Sequence, residues 1–176
     1  MIRPIFIYGE PELKLKSETV ADFNDPLLRQ LISDMFETML NANGAGLAAP
    51  QIGINKRIFV ANLPGNEKTP MHFFINPEIK FLSNNIISAQ EGCLSIPGIY
   101  GNVSRPAAIN LNWQDITGEK FSENFTGIDA RIIQHEVDHL NGQLMVDIFS
   151  PSDRMLKFMK LENIKKKNVV TSYQIK

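Results

Sequence analysis

Hydrophobic residues between positions 25 and 43 recur in pairs every four residues, which is the pattern of a helix with one buried face. Asp25 followed by Pro26 supplies an N-cap and a first-turn proline, and Asn43-Gly44 supplies an end. The pattern therefore predicts an N-terminal helix packed on the core. Its apolar positions are Leu27, Leu28, Leu31, Ile32, Met35, Phe36, Met39 and Leu40.

A second helical pattern lies between Thr126 and Asn141. Thr126 is a candidate N-cap with Asp129 three residues later, a capping box with Asp in place of Glu, and Asn141-Gly142 supplies a stop. We expect this helix to be deeply buried in the centre of the protein. The apolar residues at helical spacing are Ile128, Ile132, Ile133, Val137 and Leu140. A third helix is predicted to begin at Pro151 and to run to about Lys167.

The rest of the chain shows short runs typical of strands. A strand-like run at 5–8 leads into an extended arm, and Asp115 to Gly118 form the turn of a hairpin. The other predicted strands cover 57–62, 71–76, 78–82, 86–90, 107–113 and 120–125. These elements predict an α+β fold in which short, mostly antiparallel strands pack around the central helix, with an N-terminal helix and a C-terminal helix beside them.

Composition narrows the class of protein. At 176 residues, of which 43% are hydrophobic and 21% charged, the chain fits one globular domain, 1–176. A single cysteine, Cys93, excludes an intramolecular disulfide and suits a reducing compartment. With no signal-peptide pattern and no apolar run of ~18 residues, we expect a cytoplasmic protein without a membrane span.

The net charge of −1 conceals an asymmetry. Residues 154–176 contain seven Lys or Arg and one acid, Glu162, so they carry +6 and residues 1–153 carry −7. The basic helix and tail, about 152–176, are expected to dock on the body through Leu156, Phe158, Met159, Leu161 and Ile164. The lysines would then face outward, either as an ordinary solvated surface or as one that attracts polyanions.

The central helix also carries candidate chemistry. His135 and His139 are four residues apart, so both side chains lie on one helix face and can reach one metal ion. Glu136 is placed to act on a water molecule rather than to bind the metal. An ordinary core helix with hydrogen-bonded histidines is the alternative, but HExxH on an apolar helix favours the metal.

A catalytic metal site needs about three protein ligands and an open position. The extended motif HExxHxxGxxH fails because Met145 stands where its last histidine belongs. Another class of metalloprotease takes its third ligand from a glutamate downstream of the motif, and Glu162 lies near that distance. The lysines around Glu162, however, suggest an exposed surface, which makes it a poor ligand. Cys93, in a tight bend after Gly92, is the best remaining candidate, and His72 and scattered carboxylates stay open.

The segment 44–53 contains three glycines and a proline, a composition that argues against a regular element. Small residues let the backbone approach another group closely. The segment 44–53 is not a phosphate-binding loop, because it lacks the Lys-Ser/Thr pair with which such a loop ends. A tight turn explains the glycines, but it does not explain Gln51 among so many small residues.

Three segments together resemble the three signature motifs of the peptide deformylase family. They are GAGLAAPQ at 44–51, EGCLS at 91–95 and QHEVDHL at 134–140, in the order of the family and at about its spacing. The resemblance extends over essentially the whole chain. Within the family, the chain is similar to the compact bacterial type. It implies removal of the formyl group from N-formylmethionine at the start of new proteins.

The resemblance also implies roles for individual residues. It makes Cys93, His135 and His139 the ligands of one divalent metal, with Glu136 as the group that moves the proton. The oxyanion donors would be the side-chain amide of Gln51 and the backbone N–H of Leu94. Gly46, Ile128 and Ile132 would bind the substrate.

The metal and the partners are implied in the same way. Iron(II) is the natural metal of the family, and zinc, nickel or cobalt can substitute. The partners would be formyl-methionyl nascent chains and, because related enzymes are thought to use a C-terminal helix for it, the ribosome. We expect a monomer that does not associate with membranes.

Two alternatives remain open from the sequence. A structural zinc site would use Cys93, His135 and His139 and close with a fourth ligand, for which His72 is the only histidine left. A general peptidase would use Glu162 instead. Glu91 and Arg105 either form an ion pair that braces the Cys93 loop or are two unrelated surface charges.

Overall fold

The computed structural model describes residues 1–65 and 71–166. In these residues a five-stranded antiparallel sheet has the order β1-β2-β3-β6-β7, and β4 and β5 form a separate antiparallel pair. The predicted α+β class is confirmed. The helices are α1 Pro26–Asn41, α2 Gly127–Leu140, α3 Met145–Ile148 and α4 Pro151–Lys165, and the strands are β1 Gly46–Ala48, β2 Ile58–Asn62, β3 Met71–Leu82, β4 Ile86–Gly92, β5 Tyr100–Pro106, β6 Ala108–Gln114 and β7 Lys120–Thr126. Short 3₁₀ helices cover Pro11–Lys14 and Ala49–Ile52.

The five-stranded sheet has a helix on each face. Side chains alternate along a strand, so Phe59 and Ala61 of β2 pack in one cluster with α2, while Ile58 and Val60 pack in another with α1. This burial on both faces explains why β2 is a continuous apolar run. It also packs α2 against one face of the sheet.

A third apolar cluster lies under β5, α3 and α4. The loop after β4 contributes Ile96 and Ile99 to it, and α4 contributes Leu161 and Ile164. The expected docking of α4 is therefore correct only for these two residues. The large hydrophobic side chains of the helix that remain 54–81% exposed are Met155, Leu156, Phe158 and Met159.

The helix boundaries agree with the sequence patterns, but some details differ. Asp25 caps α1 by accepting a hydrogen bond from the Leu27 N–H, as expected. The capping box of α2 does not form, because the Asp129 carboxylate accepts the Gly65 N–H instead. Ile128 is 54% exposed although Asp129 and Ala130 in the same turn are buried, so only one side of the first turn of α2 faces outward. The predicted end of the C-terminal helix at Lys167 lies outside the described residues.

Several strand predictions need correction. The two strands predicted at 71–76 and 78–82 are one strand, β3, with a register shift beside Asn76, whose φ is +51°. The run at 5–8 is not one of the strands, although the Phe6 and Tyr8 N–H groups donate to the carbonyls of Gln51 and Ser95. The sequence did not predict β5 or α3. The composition of segment 44–53 argues against a regular element, and that prediction was wrong, because β1 lies in this segment.

Among the described residues, none of the helices combines the length and the apolar character needed to cross a bilayer.

Candidate metal centre

Three candidate ligands converge from two parts of the fold. His135 and His139 project from α2 with ring centroids 5.0 Å apart, and Cys93 follows the end of β4. The Cys93 Sγ lies 3.2 Å from His139 Nε2. One ligand atom from each of the three residues lies within 4.8 Å of the others, and within the described ranges no further His, Cys, Asp or Glu joins the group.

The donor set fits a divalent transition metal, since one thiol and two imidazoles suit iron, zinc and their neighbours. Burial, helped by the charge of His135, lowers the pKa of His139 well below its ordinary value. The imidazole is therefore neutral, which is the form that binds metals. Burial also opposes a proton on His135, but its hydrogen bonds to Cys93 and Glu91 outweigh that effect and raise its pKa. The surroundings of His135 thus favour a positive charge, which a metal can supply in place of the proton.

A buried carboxylate orients His135. Glu91 Oε2 lies 3.1 Å from His135 Nδ1, so the other ring nitrogen, Nε2, is free to face the metal position. Arg105 holds the same carboxylate through Nε at 2.7 Å and Nη2 at 2.9 Å, and it donates to Asp138 at 2.8 Å. Burial disfavours the charge of Glu91, but the hydrogen bonds from His135 and Arg105 prevail and lower its pKa to about 2. The expected Glu91–Arg105 pair is present and is almost fully buried.

Glu136 lies in the same site but outside the ligand group. It is 4% exposed, and among the described residues its Oε2 has no hydrogen-bond partner. Burial raises the pKa of Glu136 to about 7, although the charges of His135 and Arg105 act in the opposite direction. A carboxyl with a pKa near neutrality can both accept and return a proton at cellular pH. A buried oxygen without a partner is also a place where a water molecule or another polar group can bind.

The glycine-rich segment brings Gln51 to the site. Its Oε1 accepts the Ala48 N–H at 2.8 Å, so its Nε2 points toward Ser95 Oγ at 3.1 Å and Cys93 Sγ at 3.7 Å. The amide is 1% exposed and held at both ends. Gln51 is thus a fixed donor next to the candidate ligands.

The site opens into a cavity of about 520 Å³ between β1, the loop after β4 and α2. Eight of the nine residues singled out from the sequence line this cavity; His139 lies deeper, at 1% exposure. They are Gly46, Gln51, Cys93, Leu94, Ile128, Ile132, His135 and Glu136. In the described part of the chain, Gly46 belongs to the edge strand of the sheet, so one side of its backbone faces the cavity rather than another strand.

The other candidate ligands lie elsewhere. His72 is in β3, where it stacks on Phe74 with ring centroids 5.9 Å apart, and Glu162 is on α4. Neither belongs to the three-residue group, so within the described residues the site has no fourth ligand that would close it.

The sequence analysis did not identify three residues that hold the site in position. Arg131 donates to Glu91, Asp138 accepts from Arg105, and Ser95 accepts from Gln51. Arg131 and Asp138 each lie three or four residues from a candidate histidine in a helix predicted to be buried. A charged residue on such a helix is the signal that could have indicated them.

The contact between Gly46 and Glu136 gives a first testable prediction. A methyl group at Gly46 would overlap Glu136 Oε1 and would lie 2.9 Å from its Cγ, so Gly46→Ala must displace the carboxylate. We expect turnover to fall by about 100-fold, the usual cost of a shift of ~1 Å in a reacting group. The metal content should not change, because Glu136 is not in the ligand group. Kinetics of formyl-peptide hydrolysis, the activity that the sequence motifs predict, and metal analysis of the same sample test this, and unchanged turnover would place the reacting proton elsewhere.

Comparisons with known proteins agree on one family. A model of the family described as Polypeptide deformylase matches residues 2–155. A peptide deformylase from Cellvibrio japonicus is 42% identical over 166 residues, which cover 94% of this chain and 97% of that protein. One from Cytophaga hutchinsonii is 42% identical over 180 residues, with 100% and 97% covered.

Solved structures with the same fold carry the same name. A peptide deformylase from Plasmodium falciparum superposes with a TM-score of 0.87 at 38% identity, covering 97% of this chain and 99% of that one. One from Legionella pneumophila gives 0.85 at 38% identity, with 95% and 97% covered.

Proposed function

Because the chain belongs to the peptide deformylase family, hydrolases that act on N-formylmethionyl peptides, we propose that it removes the formyl group from the start of newly made proteins in a metal-dependent reaction. The products are formate and a free N-terminal methionine. One observation supports this proposal above all others. Cys93 and His135 line a cavity, and His139 completes their cluster at greater depth, beside Glu136 Oε2, a buried oxygen that has no hydrogen-bond partner among the described residues.

Cys93, His135 and His139 would hold one metal ion. Its chemistry is that of a Lewis acid, which activates water and polarises the formyl oxygen. We propose iron(II) as the ion in the cell, with zinc, nickel or cobalt as substitutes. A thiolate beside two imidazoles accepts all four ions.

Glu136 is the proposed catalytic base and acid. Its unpartnered Oε2 accepts a proton from the water that attacks the formyl carbon, and the same carboxyl then gives the proton to the departing amine. The formyl oxygen becomes negatively charged in this step and needs hydrogen-bond donors. Gln51 Nε2 and the Leu94 backbone N–H are the proposed donors, since both residues line the cavity next to Cys93.

Gly46, Ile128 and Ile132 are the proposed substrate-binding residues. Ile132 is buried and Ile128 is exposed at the cavity wall, so together they offer an apolar surface for the methionine side chain. The backbone of Gly46 at the sheet edge can pair with the peptide backbone.

An anaerobic assay tests the proposal directly. The purified protein is stripped with a chelator and reloaded with iron(II), and is then given formyl-Met-Ala-Ser and Met-Ala-Ser separately. We expect formate from the first peptide only with metal, and no cleavage of the second. Release of methionine from Met-Ala-Ser would instead identify a general aminopeptidase, and turnover without metal would refute the metal dependence.

The partners and the location are part of the same proposal. Formyl-methionine begins chains on the ribosome, so we propose a cytoplasmic monomer that meets its substrates there. The exposed face of α4 supports contact with the ribosome. It combines apolar side chains such as Met155 and Leu156 with the exposed cations Arg154, Lys160 and Lys166.

Charge removal on α4 tests the ribosome contact. We expect Lys160→Gln with Lys166→Gln to weaken co-sedimentation with ribosomes at low salt and to flatten its salt dependence, because fewer phosphate counterions are released on binding. Hydrolysis of short formyl peptides should not change. The matched control is Lys16→Gln with Lys120→Gln, which removes the same charge from exposed positions elsewhere. Equal binding by the two double variants would show that α4 makes no specific contact.

A further inference from the structure

Arg131 is a nearly buried charge to which the proposed reaction gives no role. It lies on α2 one turn before His135, its side chain is 12% exposed, and it lines the cavity. Its Nη1 donates to Glu91 Oε1 at 2.6 Å and to the Val103 carbonyl at 2.9 Å, and its Nη2 donates to the Ile87 carbonyl. An arginine with three such bonds is fixed in one orientation.

The first of these bonds completes the environment of Glu91. Oε1 accepts from Arg105 Nε and from Arg131, while Oε2 accepts from Arg105 Nη2 and pairs with His135 Nδ1. A carboxylate has about four acceptor positions, and all are used here. Arg105 and Arg131 thus hold the Glu91 carboxylate in the orientation in which Oε2 contacts His135 Nδ1.

The other two bonds join separate parts of the fold. Ile87 lies in β4 and Val103 in β5, so Arg131 ties both strands of the two-stranded sheet to α2. Within the described residues these strands pair with each other and not with the five-stranded sheet. Cys93 follows β4 directly, whereas His135 and His139 belong to α2. The candidate ligands therefore sit on two units that Arg131 connects.

We infer that Arg131 is a positioning residue that sets the distance between Cys93 and the two histidines and orients His135 through Glu91. This inference rests on the proposed metal site. Arg105 alone cannot replace it, because the bonds to the Ile87 and Val103 carbonyls come from Arg131. Arg131 itself touches neither the substrate nor the metal in this role.

Cobalt(II) binding tests the inference without any turnover. Cobalt bound to a thiolate absorbs in a charge-transfer band that reports on Cys93, and titration of the chelator-treated protein gives the dissociation constant. We expect Arg131→Met to weaken cobalt binding by about 10–100-fold, the usual effect of losing a group that supports a ligand. The thiolate band should also be weaker at saturation. The matched control, Arg29→Met, removes an exposed arginine from α1 and should bind cobalt as the unmodified protein does.

Chemical rescue separates positioning from a general loss of structure. Arg131→Ala leaves a gap that opens into the cavity, where a free guanidinium ion can bind. We expect millimolar guanidinium chloride to restore the cobalt affinity of Arg131→Ala but not that of Arg131→Met, whose side chain fills the gap. The same concentration of sodium chloride should restore neither.

The outcomes distinguish this inference from the proposed function. If the unmodified protein binds cobalt with a thiolate band and Arg131→Met does so equally well, the positioning role is refuted and the metal site stands. Weak binding by Arg131→Ala that guanidinium does not restore also refutes it. If the unmodified protein shows no thiolate–cobalt band, the proposed site fails and the inference fails with it.

Discussion

Replacing Cys93 with serine is expected to remove most of the metal and nearly all of the turnover. A hydroxyl is a far poorer ligand than a thiolate, because at neutral pH it keeps its proton and cannot offer a charged donor to the ion. Cys93 is also the only member of the ligand group outside α2, so its loss leaves two imidazoles on one helix face. Two ligands are fewer than catalytic sites of this kind use.

The measurement is metal analysis after dialysis, followed by formate release from a formyl-methionyl peptide. Cys93 is partly buried in a loop, so the exchange of sulfur for oxygen should leave the fold intact, which a melting curve checks. Ser88→Ala, a change of similar size within β4, serves as the control and should keep both metal and activity. Full metal retention with normal turnover in Cys93→Ser would refute the assignment of this ligand.

Replacing Glu136 with glutamine should have an equally large effect on turnover and little effect on the metal. The two side chains have the same shape, but the amide cannot accept the proton that the reaction moves. General base catalysis of this kind contributes roughly 100–10,000-fold to the rate. We therefore expect kcat to fall by that factor while the metal content equals that of the unmodified protein.

Glu162→Gln is the control for this experiment. It makes the same chemical change on α4, at the residue that the sequence had offered as another candidate metal ligand, and it should leave kcat unchanged. Near-normal turnover by Glu136→Gln would mean that the base lies elsewhere. A large loss by Glu162→Gln would favour the general peptidase that the sequence left open.

Local patterns in the sequence were enough to predict α1, α2 and α4, but not α3. The cap at Asp25 and the stop at Asn141-Gly142 agree with α1 and α2, because capping depends on residues within one turn. The prediction of a capping box with Asp129 was wrong, since the Asp129 carboxylate accepts a hydrogen bond from the Gly65 N–H in a loop distant in sequence. Ile128 falls on the apolar pattern but is exposed, because what covers a helix face is set by its neighbours.

Strands were harder to predict for the same reason. β1 forms in a glycine-rich segment because Gly46 to Ala48 pair with β2, a contact that composition does not encode. β5 has an alternating burial pattern, yet its polar and small residues carry no strong strand signal until β4 is alongside. Asn76-Pro77 suggested an end of one strand and the start of another. In the structure β3 continues through these residues, and only its register with β6 shifts.

The residues that could perform the chemistry can be identified from the sequence. The i, i+4 geometry of a helix places His135 and His139 together wherever the helix lies, and the motif residues around Gln51 and Cys93 complete the set. The tertiary structure was needed to show that Cys93 meets those histidines, that Glu91 is held between Arg105 and Arg131, and that four of the six large apolar side chains of α4 stay exposed. Separation along the chain explains why local patterns in the sequence did not predict these contacts. A helix fixes neighbours within four residues, whereas Cys93 and His139 are brought together by the packing of a sheet against a helix, which no local pattern specifies.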